Sequence, residues 1–518
     1  MCHSHVSGPC LGCHHGLNRR RFVAGCGATL TSIGASASRT AQAGDDSKKP
    51  VRVGLVFLSN HKPSWPHPEF LVEPREEEIL ELLRAGCPGV ELVPVAVRTP
   101  DQVKAAAALK DEVDGYLVYV VTLHWNLQRT VAEIGKLGKP MLLADEFLGG
   151  CGVFLRGYSD LCRQNIPAAA VSTTRMQDLV LAAQTFAEVK PDTTQAAFAA
   201  RCEEVYRKTF APVGEMKCVA DPVKLTDIGQ CIDRFKKSRF LIVGRGQEGK
   251  EQDFLGATGV YIGFDELKSL YDAVDQDEAA QWAAHWSGQA EHIVEPTPDW
   301  IHKAAAVYLA TKELLKRHGT DSVTMNCLGG FAQGKLPAYP CLGFMEILDG
   351  GGQGVCEAMP DDTLSMLMAR ILTGRPGFVS DPALDTSKNQ IVYAHCVATT
   401  RPLGPDTDSN RFRIRTLHDR DPRGTCAQSF LPEGYMTTSF RTDFARKKMV
   451  IHQAKAVGNL DADRGCRTQL VGEVRGDIGN LFDQWDHFGW HRVTVYGDVK
   501  EPLIEFGRGL GLEIVEEA

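Results

Sequence analysis

Three residues combine a reactive side chain with a position where folds tend to assemble sites. Glu357 follows Val355-Cys356, His395 follows Ile391-Val392-Tyr393-Ala394, and His491 follows Phe488-Gly489-Trp490. Each stands at the end of an apolar, strand-like run, and strand ends are where α/β proteins collect functional groups. One carboxylate and two imidazoles form a mixed oxygen and nitrogen donor set suited to Mn2+, Fe2+, Co2+ or Zn2+, with positions left for a substrate's oxygens. Their separations of 38 and 96 residues match no local metal motif. On composition alone, satisfied core histidines and a surface glutamate are the better account. No Walker sequence, G-x-S-x-G elbow or H-E-x-x-H helix offers a competing chemistry.

The elements that must carry these residues are legible as an alternation. From Val51 the sequence predicts a buried strand, then a helix over 75–84 with acids in its first turn, where the helix dipole favours them. Strand 90–97, helix 100–109, strand 116–121, helix 128–137 and strand 140–144 follow. Such alternation argues for parallel sheets with helices on their faces. A second region offers helix 223–237, strands 239–243 and 259–262, and helices 301–317 and 363–372. After Pro376 the texture changes to extended stretches at 390–395, 435–442, 449–456 and 492–496, separated by polar turns. The expectation is two Rossmann-like α/β lobes, 44–210 and 211–375, followed by a β-rich C-terminal domain, 376–518. Gly244-Arg245-Gly246-Gln247-Glu248-Gly249 follows a strand but lacks the helical continuation of a dinucleotide loop, so it reads as a strand-to-loop turn. Gly350-Gly351-Gly352 reads as a helix C-cap and tight turn.

The order Tyr339-Pro340-Cys341, Leu348-Asp349-Gly350, Cys356-Glu357, Thr373-Gly374-Arg375-Pro376, Asp381, His395-Cys396, His491-Arg492-Val493, Tyr496-Gly497-Asp498 and Leu510-Gly511-Leu512 resembles the L-fucose/L-arabinose isomerase superfamily. The match spreads over roughly residues 300–518, and its order is the specific part. The resemblance implies a metal-dependent aldose–ketose isomerase with a C-terminal domain of the L-fucose isomerase type. It also implies a homo-oligomer with an intersubunit cleft, and a divalent metal, Mn2+ before Fe2+, Co2+ or Zn2+, held by Glu357, His395 and His491. It departs from the family in two places. The family's E-G-D is Glu357-Ala358-Met359 here, and the acid expected 25 to 30 residues before Glu357 is absent from Asn326-Cys327-Leu328-Gly329-Gly330. Enediol chemistry needs a base at C2 and a second group serving O1 and O2. Glu357 and Asp361 are the expected catalytic pair, although Asp361 and Asp362 stand where they could instead cap the helix that follows. Trp490 and Trp485 are candidates for stacking on a sugar, and Trp65 and His67 lie on the loop after the first strand. The alternative to turnover is a catalytically degenerate carbohydrate-binding protein that keeps the fold.

Composition bounds the rest. The chain has 518 residues, 43% hydrophobic and 24% charged, enough for several cores. A formal charge of −8 excludes a general phosphate-backbone binder, so no nucleic-acid partner is expected. Asn18-Arg19-Arg20-Arg21-Phe22-Val23, a small-residue apolar run and Ala41-Gln42-Ala43 resemble a twin-arginine signal peptide over 1–43. They predict use of the twin-arginine export machinery, cleavage after Ala43 and a periplasmic or extracellular location. No later run could span a membrane as a helix. The remaining chain would carry 53 basic and 65 acidic residues, net −12, and 12 cysteines that read mostly as small buried hydrophobes. Cys10-Leu11-Gly12-Cys13-His14 spells a haem-attachment sequence and Val23-Ala24-Gly25-Cys26 a lipoprotein box, but both lie inside the leader.

Overall fold

Runs such as Gly115–Val120 and Met141–Asp145 are buried at every position, the pattern of strands covered on both faces. The computed structural model describes residues 49–60, 69–122, 127–417 and 424–518. The export signal, its cleavage site, Trp65 and His67 lie outside the described residues.

The first sheet holds β1 (Val51–Leu58), β2 (Val90–Val97), β3 (Gly115–Val120), β4 (Met141–Asp145) and β5 (Ala169–Val171) in the order β2-β1-β3-β4-β5. All its pairings are parallel. Helix Cys151–Arg163, absent from the expected alternation, follows β4. Its Gly157 lowers helix propensity but admits the neighbouring helix Gln128–Gly135, since a Cβ there would meet Val131 at 2.7 Å. β4 ends in Asp145, a buried acid with no hydrogen-bond partner on either carboxylate oxygen among the described residues. Burial pushes its pKa up to about 8.

The second sheet holds β6 (Arg239–Val243), β7 (Glu251–Phe254) and β8 (Ala257–Ile262). After the short β9 (His292–Ile293) come β10 (Ser322–Met325) and β11 (Gln353–Cys356), giving the order β11-β10-β6-β8-β7. Only β7 runs antiparallel. Ala- and Leu-rich helix Pro298–Arg317 packs in its core.

The β-rich end comprises β12 (Phe378–Asp385), β13 (Gln390–His395), β14 (Phe412–Arg415), β15 (Cys426–Ser429), β16 (Met436–Asp443), β17 (Lys448–Asn459), β18 (Thr468–Val474), β19 (Arg492–Tyr496) and β20 (Glu513–Glu516). Strands β16-β19-β12-β13-β18-β17 close through a β16–β17 pairing into a six-stranded antiparallel barrel, and β20 adds to β17. Closure removes free edges that a mixed sheet would leave. A buried polar set braces it: Arg492 donates to both Glu517 oxygens at 2.9 and 2.7 Å, and His452 links Glu517 to the Tyr393 hydroxyl.

Between the first two sheets, residues 211–227 run without helix or strand and are stitched to later parts of the chain. Ala211 N–H donates to Thr386 O, Val219 N–H to Gly434 O and Thr226 N–H to Leu372 O. Asp221 takes a two-pronged grip from Arg375 at 2.5 and 2.7 Å. This strap, the two parallel-rich sheets, the barrel and a small sheet of β15-β14-β9 belong to one unit, residues 50–518. No helix among the described residues is long and apolar enough to cross a membrane.

Candidate functional site

Glu357 leaves the C-terminal end of β11 in a left-handed conformation, φ +68°, and Ala358 repeats it at +50°. Two consecutive non-glycine residues there carry strain of about 1–3 kcal/mol each, sustained only where surroundings over-determine them. Those surroundings are present. Ala358 N–H donates to Met325 O at 2.9 Å, Met359 N–H to the Thr324 hydroxyl at 3.0 Å, and the Ala358 carbonyl accepts from Arg245 at 2.9 Å. The turn aims a partly open carboxylate away from the sheet edge.

The barrel presents the other groups. β13, β12 and β19 are neighbours, with Asp381 opposite Ala394 and Ser380 opposite Arg492. This register sets His395 on β13, Asp381 on β12 and His491 just ahead of β19 close together. His395 Nε2 lies 3.9 Å from one Glu357 oxygen and His491 Nε2 lies 3.9 Å from the other. The two imidazoles stand nearly perpendicular with centroids 5.3 Å apart. Ligand atoms of Glu357, His395 and His491 all lie within 4.8 Å of one another, the one such grouping of histidine, cysteine or acid among the described residues.

Asp381 is the member that sequence reasoning missed as a site residue. Its Oδ1 approaches His491 Nε2 at 3.1 Å, yet both atoms are buried without a hydrogen-bond partner, as is His395 Nδ1. Its signal was its place in the ordered motif, 24 residues after Glu357 rather than before it. A second unread role belongs to Asp362. Fully buried, it accepts from His491 Nδ1 at 2.6 Å and from Arg441 Nε at 2.9 Å, while Arg441 also donates to Phe488 O. Burial opposes its charge, but His491 and Arg441 hold the Asp362 carboxyl well below its usual range. Burial likewise opposes the imidazolium of His491, and Asp362 with Asp381 raises its pKa well above normal. These are two sides of one interaction. With Nδ1 committed to Asp362, Nε2 is the nitrogen turned toward Glu357 and Asp381.

Asp361, expected as a catalytic acid, is placed otherwise. Its Oδ1 accepts the Phe444 N–H at 2.9 Å, Oδ2 faces Arg441 at 3.6 Å, and its backbone carbonyl takes Ser365 and Thr442 hydroxyls. It sits in the first turn of helix Pro360–Thr373 and ties that helix to the barrel. Trp485 offers no face to a sugar. It is 2% exposed, covered by the Arg492 guanidinium 4.0 Å from its ring centre, and its indole N–H donates to Trp490 O. Trp490 is half-buried against the barrel's apolar cluster.

Thiols surround the site without competing for its role. Cys356 and Cys396 adjoin Glu357 and His395 in sequence, and nine of the 12 described cysteines are buried. Hydrogen bonding among thiols and burial raise Cys356 and Cys466 well above the ordinary thiol range, so both remain protonated and poor metal donors.

A carboxylate open to solvent, a second acid and two imidazoles can together share a divalent cation and move protons. The likeness to known proteins is to sugar isomerases. No family model matches the chain. The sulfoquinovose isomerases of Priestia aryabhattai and Priestia megaterium (strain ATCC 12872 / QMB1551) are each 23% identical over 272 residues, 51% of this chain and 59% of theirs. The matched region thus spans less than two thirds of those relatives' length.

Proposed function

We propose that this protein is a metal-dependent aldose–ketose isomerase of a small sugar, with Glu357 and Asp381 as its acid–base pair. The observation that carries this reading is the convergence of His395 Nε2 and His491 Nε2 on a partly exposed Glu357, with the buried Asp381 Oδ1 and His491 Nε2 facing each other without a hydrogen bond. Leaving such buried atoms without partners is unfavourable, and a cation is the partner this donor set suits. Glu357, His395, His491 and Asp381 would hold it. When bound, it would polarise the two sugar oxygens and acidify the C2 hydrogen.

The chain's own residues supply the proton traffic. Glu357 takes the proton from C2 and returns it to C1 of the enediol. Asp381 takes the O2 hydroxyl proton and delivers it to O1, which completes aldose to ketose with no net change of atoms or electrons. Asp362 holds His491 in one tautomer and orientation. The alternative of a degenerate binder rests on the missing acids and on the export signal; Asp381 offers an acid against the first ground and leaves the second in place.

The named relatives make sulfoquinovose the first substrate to test, beside pentoses and 6-deoxyhexoses. Mn2+ is the first metal to load, and a homo-oligomer with a shared cleft is part of the proposal. So is export by the twin-arginine route. N-terminal sequencing of protein from its host should begin at Gly44, and Met1 or Cys2 would refute export. The functional test is turnover by the Mn2+-loaded protein. Aldose-to-ketose conversion abolished in Glu357→Gln supports the assignment. No conversion of any of these sugars by a protein with stoichiometric metal overturns it.

A further inference from the structure

The glycine-flanked loop after β6 has no part in the chemistry above, yet it ends beside it. β11, β10 and β6 are parallel neighbours, so Glu357, Asn326 and Gly244 leave the same edge of the second sheet. In open α/β sheets that C-terminal edge is where ligands sit. Gly244 and Gly246 take φ of +74° and +73°, and a Cβ on either would strike the ring of Phe264 or Tyr261 within 2.5 Å. The Asn326 side-chain amide donates to Gly244 O at 3.1 Å, and Gly244 N–H donates to Ile262 O. The loop is therefore built to one shape. That shape carries the exposed Arg245 to the strained turn, where Nη1 donates to Ala358 O and contacts the Met359 sulfur.

No carboxylate pairs with Arg245 among the described salt bridges, whereas Arg75 and Arg464 both grip Glu146. Chain geometry puts its guanidinium within about 9 Å of the Glu357 Cα. An extended six-carbon sugar spans about 6 Å from C1 to C6. A sugar with C1 and C2 at Glu357 can thus bring its far end to Arg245, whose Nε and Nη2 remain for a planar, two-pronged contact with an oxyanion.

We infer that Arg245 is a specificity-determining residue that selects aldoses carrying an anionic group, sulfonate or phosphate, at the carbon farthest from the carbonyl. The inference rests on the isomerase reading for the placement of C1 and C2.

The experiment compares the Mn2+-loaded wild type with Arg245→Ala and Arg245→Lys. The probes are a 6-deoxy-6-sulfohexose, the matching hexose 6-phosphate and the neutral 6-deoxyhexose. Calorimetric binding is measured beside turnover, and thermal melts check that each variant folds. Arg245→Ala should cut the anionic-over-neutral ratio of kcat/KM by about 10- to 100-fold, through KM, with partial recovery in Arg245→Lys. The anion that loses more identifies which group the site prefers. An unchanged ratio in a folded Arg245→Ala overturns the inference while leaving isomerisation intact. Arg245-dependent binding of the anionic sugars without any turnover would overturn the isomerase reading and retain this one.

Discussion

At the scale of single residues, the proposed reaction assigns some groups to handle protons and others to hold them in place. Asp381→Asn is expected to lower kcat by about 10²–10⁴-fold, because it removes an acid–base group and keeps its shape. Asp361→Asn should leave turnover within a few-fold of wild type, since that carboxyl serves Phe444 and Arg441. Steady-state kinetics on the same sugar checks both. Asp362→Asn should weaken Mn2+ binding by about 10- to 100-fold in a calorimetric titration, because His491 loses the partner that fixes its tautomer. Glu357, His395 and His491 are singled out in the sequence by the order of motifs around them and not by the apolar runs alone, and His491 in fact stands just ahead of a strand rather than at the end of one. Asp381 is harder to see, lying mid-strand between Ser380 and Pro382, and only its register against β13 and β19 shows where it faces. Asp362 is legible as a helix-start acid, but its buried bond to a histidine 129 residues away depends on tertiary packing. Trp485 misleads because an aromatic near a candidate ligand can equally serve the core.

Among the elements, strand-and-helix alternation over residues 51–144 and the apolar strands of the second sheet are readable from pattern, since parallel strands covered on both faces are nearly continuous in hydrophobicity. Barrel closure is not readable, because the β16–β17 pairing that seals it is one hairpin among several. Helix Cys151–Arg163 is masked by glycines kept for close packing rather than for turns. The end of β4 carries its own prediction. Folded Asp145 keeps its proton up to about pH 8, whereas the unfolded side chain loses it near the ordinary carboxyl value of 3.8. Between those values the native state binds more protons than the unfolded one. Its contribution is therefore present below about pH 4 and lost as pH rises through 8. Asp145→Asn should melt close to wild type at pH 4 and above it at pH 9, and equal melting temperatures at both would refute this.

For the whole molecule, the candidate site joins the second sheet to the barrel, so a ligand there should stabilise both together. Mn2+ at a hundred times its dissociation constant is expected to add about 2.7 kcal/mol to unfolding in urea, and Glu357→Gln should abolish the gain. The strap offers a second test. Asp221→Ala leaves Arg375 enclosed without its partner and should cost about 3 kcal/mol of stability by the same measurement. That strap also bears on ancestry. Residues 211–227 look like the natural seam at which to exchange the first sheet for a cousin's. Their hydrogen bonds, however, run to Leu372, Arg375, Thr386 and Gly434, far downstream. A recombinant joined at the seam inherits a strap cut for one barrel and laid on another. Lineages of this protein should therefore trade the first sheet, the strap and the barrel as a set, or not at all.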